Sequence, residues 1–450
     1  MRIASWVPSL IALALLGSPA HAQHRQNLQQ VWDAALQRDP AYAAARAQRN
    51  ADQEIVPQAR AKLLPYISAS AAGEVDTNRE LRGLSQGETK RRGLWALTLT
   101  QPIIDIGNWN KLEQSQFVAN SADLGMQQAY QDLILRVSQA YFDVLAAQDT
   151  LRTVLAQKQA VSSQLDAAKK GFELGGKTIA DTYEAQSRLD LLNAGELQAR
   201  NAVQVSEDQL AKIIYERPGA LAGLASTTTL PPPQPNKLGD WTAQAGQANL
   251  AVARAQLSAK IVEKQIAIAK SGHAPTLSLY AQTGSISDRG VYGMQNGPRS
   301  LDTTVGVQLL IPIYSGGEIS SQVREQTSRL QQARYDLEAA RRQAVQSTQQ
   351  YFSGVTSGLA QIEALQAAEK SSLASLDANK IGYEIGVRVN IDVLNAQQQL
   401  YETQRALLRA RYDTLMNSLR LKASSGILSE ADITAINQLL ETGPAAALSR

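Results

Sequence analysis

A stretch of nineteen residues that occurs twice constrains this chain more than any other feature. GFELGGKTIADTYEAQSRL at 171–189 returns as GYEIGVRVNIDVLNAQQQL at 382–400, 211 residues on. Seven positions are identical: Gly171/Gly382, Glu173/Glu384, Gly175/Gly386, Asp181/Asp392, Ala185/Ala396, Gln186/Gln397 and Leu189/Leu400. Phe172/Tyr383, Leu174/Ile385 and Lys177/Arg388 are close substitutions. In each copy glycines interrupt a long helical run, which then restarts, so each reads as the turn at the tip of a helical hairpin. A length of 450 residues alone suggests about three domains, but a duplication makes it two copies of one unit.

The surroundings repeat as well. From about Asp105 to Lys170 there is no proline, and Gly125 is the only glycine after Gly107. Met126, Tyr130, Leu133, Val137, Tyr141, Val144, Leu151 and Leu155 fall mostly three or four apart, as in a coiled-coil seam. About 65 residues at 1.5 Å each predict a helix of ~100 Å, too long for an ordinary globular core. A return helix is expected to about Tyr215, which gives a hairpin over 105–215. Upstream, Leu28–Arg38 forms a short amphipathic helix, and Asp39-Pro40 opens a second that runs to about Leu63. Residues 66–74 and 94–101 read as strands: Trp95, Leu97 and Leu99 alternate with Ala96, Thr98 and Thr100. A polar loop with Gly83, Gly87, Lys90, Arg91 and Arg92 joins them, and Gln101-Pro102 ends the second.

Repeat 1 thus covers 23–217. Residues 218–237, with Leu230-Pro-Pro-Pro-Gln-Pro235, form a linker in which proline excludes helix. Repeat 2, 238–425, sets Asn249 for Asp39, Pro275 for Pro65 and Pro312 for Pro102. Its strands are expected at 276–284 and 303–311 about a loop at 285–302, and its hairpin at 315–424. A short helix and tail occupy 426–450.

Residues 1–22 have the form of a secretory signal: Arg2, an apolar Leu10–Leu16, and Ala20-His21-Ala22 for cleavage. The remainder would carry 43 basic and 41 acidic residues, a net +2, with the cations scattered rather than striped. No nucleic-acid face results. Cysteine is absent, so neither disulfides nor a lipid-attachment thiol are available. No later apolar run reaches the ~18 residues a spanning helix needs. If the chain spans a membrane, it does so with strands. Four strands cannot close a barrel, since about eight are needed, and lipid forbids open edges. Several chains would therefore have to pool their strands, with the polar helices in the periplasm.

The chain resembles the TolC family of outer-membrane efflux proteins over residues 23–440. The match is carried by Leu99-Thr-Gln-Pro-Ile103, Leu310-Ile-Pro-Ile313, the Gly-Tyr/Phe-Glu-x-Gly turns, Asp392-Val-Leu-Asn395 and Ser425-Gly-Ile-Leu-Ser-Glu-Ala-Asp432, in their order across two repeats. The resemblance implies an α+β membrane protein. A homotrimeric 12-stranded barrel, four strands per chain, in contact with outer-membrane lipid, would continue into a long periplasmic α-helical tunnel. It further implies docking on a periplasmic adaptor (membrane fusion) protein and on an inner-membrane ABC or proton-driven exporter, for type I protein secretion, multidrug efflux or both. A non-conducting periplasmic coiled-coil scaffold is the competing reading.

No catalytic spacing, metal cluster or phosphate loop is found, and no cofactor is expected. The candidate residues are those of the two turns. Asp392 begins the last return helix, where acids also favour the positive helix end for purely structural reasons. Presented three times about an axis it would form a cation-attracting ring, with Asn395 one turn on. The resemblance places closing links between hairpins at Tyr383 and Arg388, reaching toward Asp181. It also implies two departures: Ala180 replaces a hydroxyl, and Asn395 replaces a second acid. Gly171, Gly175, Gly382 and Gly386 shape the turns expected to meet the adaptor. Lys90, Arg91 and Arg92 suit either anionic lipopolysaccharide or plain solvation, and Tyr66, Trp95, Tyr280 and Tyr292 suit a membrane interface.

Overall fold

The computed structural model describes residues 25–77, 89–225, 228–289 and 300–440. The expected signal, Gly83, Gly87, Tyr292 and the last ten residues lie outside them.

Two hairpins with unequal arms make up nearly half of the chain. Helix α4 (Ile106–Glu173, 68 residues) turns into α5 (Ile179–Ile214, 36 residues), and α8 (Glu318–Glu384, 67 residues) into α9 (Asn390–Ser424, 35 residues). A return arm half as long leaves the other half of each long helix without a partner. Helices α2 (Pro40–Gln53), α3 (Ile55–Ala61) and α7 (Leu250–Lys270) cover it, all three against α4 and α7 against α8 as well. Around the middle sit α1 (Leu28–Arg38), α6 (Leu238–Ala248) and α10 (Glu430–Asn437).

The helix expected to run from Asp39-Pro40 to Leu63 is broken at Glu54, between α2 and α3. Pro57 is the reason: it has no N–H for the carbonyl four residues back, and its ring collides with that carbonyl. The second repeat has Ala267 at the matching position, 210 residues on, and α7 is continuous there.

Strands β1 (Tyr66–Thr77), β2 (Thr89–Ile104), β3 (Thr276–Arg289) and β4 (Ser300–Leu310) form one antiparallel sheet in that order, so the repeats join through β2 and β3. Pro102, expected to end its strand, lies inside it. The register slips between Pro102 and Ile104, a bulge where a residue without an N–H is tolerated. Lys90, Arg91 and Arg92, expected in a loop, belong to β2 opposite Asp76, Val75 and Glu74. One face of the sheet carries exposed Ile67, Trp95, Leu97, Val305, Val307 and Leu309; the other carries Ser68, Thr98, Gln282, Thr304 and Gln308. At 11 to 16 residues, the strands exceed the ~9–11 that a tilted strand needs to cross a bilayer. Among the described residues no helix is long and apolar enough to cross a membrane.

The largest core lies at mid-height, not at either end. Trp32 of α1, Leu133, Val137, Tyr141 and Phe142 of α4, Leu210 of α5, Leu419 of α9 and Ile433 of α10 are all buried there. Asp39 anchors this belt to α4. Its carboxylate accepts two hydrogen bonds from Arg136, at 2.9 and 3.1 Å, and one at 2.7 Å from the Tyr42 N–H at the start of α2. Burial opposes its charge, but the Arg136 and Tyr42 hydrogen bonds outweigh burial and hold the carboxyl below its ordinary value. A depressed carboxyl contributes stability above the unfolded pKa and loses it as pH falls through the folded one. Asp39→Asn is therefore expected to destabilise the fold by about 1.5–3 kcal/mol at neutral pH. The deficit relative to wild type should close below the ordinary 3.8. Thermal unfolding midpoints across that range check this.

Candidate functional site at the hairpin tips

Both turns are built the same way. In the first, the carbonyl of Gly171 accepts from the N–H groups of Gly176 (2.9 Å) and Lys177 (3.1 Å); in the second, that of Gly382 accepts from Val387 (2.9 Å) and Arg388 (3.0 Å). Gly175 and Gly386 hold φ of +75° and +81°, the left-handed region where only glycine is at ease. Gly171 and Gly382 are glycine for a different reason. A Cβ would stand 2.5 Å from Lys177 Cγ in the first turn and 2.6 Å from Arg388 Cγ in the second. Each glycine clears a path for the basic side chain that folds back across the turn.

The two cations then part company. Thr178 is the N-cap of α5 and makes a capping box with Asp181: Asp181 Oδ2 accepts from the Thr178 N–H (3.0 Å) and Oγ1–H (2.8 Å). The matching N-cap of α9 is Val389, which has no hydroxyl. Asp392 there takes Arg388 instead, at 3.6 Å. Within this one chain Arg388 thus pairs in its own turn and not with Asp181, toward which it was expected to reach. Tyr383 does lie in the field of Asp181. Burial and that charge together push its pKa up, but its Oη is buried without a hydrogen-bond partner.

Other side chains join the hairpins. Lys177 reaches across from the first tip, with Nζ 3.6 Å from the Tyr383 ring centroid and donating to the Tyr383 carbonyl at 3.2 Å. Asn390 is fully buried at the start of α9; its Nδ2 donates to the Asp181 carbonyl (3.0 Å), and its Oδ1 accepts from Gln164 of α4 (2.7 Å). Arg188 of α5 donates to Asn395 Oδ1 at 3.2 Å. Lys177, Gln164, Asn390 and Arg188 were not singled out from the sequence. One signal was present: Asn390 stands where the first repeat has Ile179, a polar residue in an otherwise matching apolar slot. Beyond these contacts, Leu174, Ile385 and Val387 leave both turns strongly apolar and exposed. Among the described residues no cluster of acids and histidines suits a metal ion.

Comparison with known proteins agrees with this fold. The family model described as "Outer membrane efflux protein" matches residues 31–214 and 241–427, one block per repeat. The chain is 34% identical to the outer membrane protein TolC of Escherichia coli over 444 residues, covering 96% of this chain and 89% of that one. It is 29% identical over 410 residues to the alkaline protease secretion protein AprF of Pseudomonas aeruginosa, covering 89% and 84%. The Campylobacter jejuni CmeC outer membrane channel shares the fold, with a TM-score of 0.77 at 16% identity over 92% of this chain and 90% of that one. A periplasmic scaffold would leave the apolar sheet face in water; a channel sets it in lipid. Sheet, hairpins and relatives agree that the chain belongs to the outer membrane efflux protein family, as a non-enzymatic outer-membrane channel for export.

Proposed function

We propose that three copies of this chain pool their four strands into one 12-stranded barrel and their hairpins into a periplasmic tunnel whose narrow end lies at the tips. The observation that carries this is a single sheet with an apolar face and two free edges, continuous with helices of 67 and 68 residues. Lipid tolerates no open edge, and four strands are too few to close. Arms of ~100 Å suit the space beneath an outer membrane. Asp392 and Asn395 form the ring at the narrow end. Asp181 and Tyr383 belong to its closing contacts, joined by Lys177 and Asn390, while Arg388 stays paired with Asp392 in its own turn. The turns of Gly171, Gly175, Gly382 and Gly386 present the apolar Leu174, Ile385 and Val387 to a periplasmic adaptor, which recruits an inner-membrane ABC or proton-driven pump. AprF, a protease secretion protein by name, supports protein cargo.

The test is purification from the outer membrane in detergent, with mass measured by light scattering and conductance in a planar bilayer. A trimer giving small discrete current steps is expected. A monodisperse monomer that leaves the bilayer silent would overturn the reading.

A further inference from the structure

We propose that Arg188 is a specificity-determining residue of the duct. It lays a ring of guanidinium groups against the Asp392 ring, weakening the cation preference of the entrance and easing the passage of anionic solutes. This rests on the reading of the tips as the narrow end of the conduit.

Asp392 and Asn395 are three residues apart on α9, so they share one face of that helix. Asn395 is exposed, and its side-chain oxygen takes the Arg188 Nη2 hydrogen bond at 3.2 Å from the neighbouring hairpin. Wherever Asn395 faces, Arg188 brings a positive charge to the same spot. That guanidinium meets a neutral amide and makes no ion pair among the described residues, so its charge is not cancelled locally. Glu184, one turn nearer the tip on the same face of α5, makes no ion pair with it but adds a negative charge of its own. The repeat makes the placement specific, because the residue that matches Arg188 is Gln399, neutral and of similar reach.

Asp392, for its part, is already paired with Arg388 at 3.6 Å. The layer formed by Asp392, Glu184, Arg388, Asn395 and Arg188 thus carries two negative and two positive charges per chain, −2 + 2 = 0, and without Arg188 it would carry −1. A ring of carboxylates alone would attract multivalent cations and retard anions. With a cation one helical turn away, within a Debye length of ~8 Å at physiological salt, that attraction is opposed rather than screened. Anionic drugs and acidic polypeptide segments are the solutes this arrangement favours.

The experiment is reversal potential under a KCl gradient, with block by a divalent cation, on trimers carrying Lys177→Ala and Asn390→Leu to release the tips. Into this background go Arg188→Gln, Arg188→Lys and Asn395→Asp. Arg188→Gln is expected to raise the K+ over Cl− permeability ratio several-fold and strengthen the block. Asn395→Asp should act in the same direction, and Arg188→Lys should leave both near the background. If the background conducts and Arg188→Gln changes neither quantity, the proposal is overturned while the duct reading stands. If properly assembled background trimers carry no current at all, the chain is not a duct, and the proposal falls with that reading.

Discussion

Lys177→Ala combined with Asn390→Leu is expected to open the duct, seen as a several-fold rise in single-channel conductance. Asn390 is fully buried and spends both ends of its amide between hairpins, on the Asp181 carbonyl and on Gln164. Leucine there removes both hydrogen bonds and leaves the half-buried Gln164 amide without this partner in the closed arrangement, at a cost of about 1–3 kcal/mol. The Lys177 ammonium over Tyr383 adds about 0.5–2 kcal/mol. A loss of about 2–4 kcal/mol shifts the open-to-closed ratio by one to three powers of ten. The single variants separate the two contributions, and Arg388→Ala serves as the contrast. Its partner Asp392 lies in the same turn, so within one protomer it ties nothing across. Unchanged current steps in a folded double variant would show that these contacts do not hold the entrance.

The second large effect concerns stability. Trp32→Ala is expected to cost about 3–5 kcal/mol, because the indole is fully buried in the mid-height belt. It sits edge-on to Tyr130, with ring centroids 5.3 Å apart at 88°. That belt holds α1 and α10 against α4, so its loss should also free the 218–237 linker to proteases. A spectroscopic readout is available at the same place. Burial, with Glu430 as a smaller contributor, pushes the Tyr130 phenol up to about 12. Removing the indole wets the phenol, and its titration should fall toward the ordinary 10.0. A stable variant whose Tyr130 titration is unmoved would mean that the belt is not organised around Trp32.

Much of this was legible beforehand where the pattern is local. The alternation of Trp95, Leu97 and Leu99 against Ala96, Thr98 and Thr100 marks a two-faced strand whatever surrounds it. The strands extend further than that alternation, because hydrogen bonding to a neighbour continues through Lys90, Arg91 and Arg92 on one side and through a bulge after Pro102 on the other. The break at Pro57 was present in the letters. Its weight shows when α3 is set beside the unbroken α7, where alanine replaces proline.

The tips divide the two sources of information most sharply. By itself the sequence determined that there are two hairpins, that they turn at Gly175 and Gly386, and that a basic residue and an acid follow each turn. Those are consequences of backbone freedom, helix periodicity and repetition, all of which act over a few residues. Only the tertiary structure decided where the charges go. Lys177 crosses to the other hairpin while its repeat partner Arg388 stays at home. The acids part for a local reason, since Asp181 is engaged by the Thr178 cap, whereas Asp392 has the hydroxyl-free Val389 as its cap residue and pairs with Arg388. The cation over Tyr383 and the buried amide of Asn390 depend on neighbours more than 200 residues away, and no short-range pattern records which side chain those neighbours will meet.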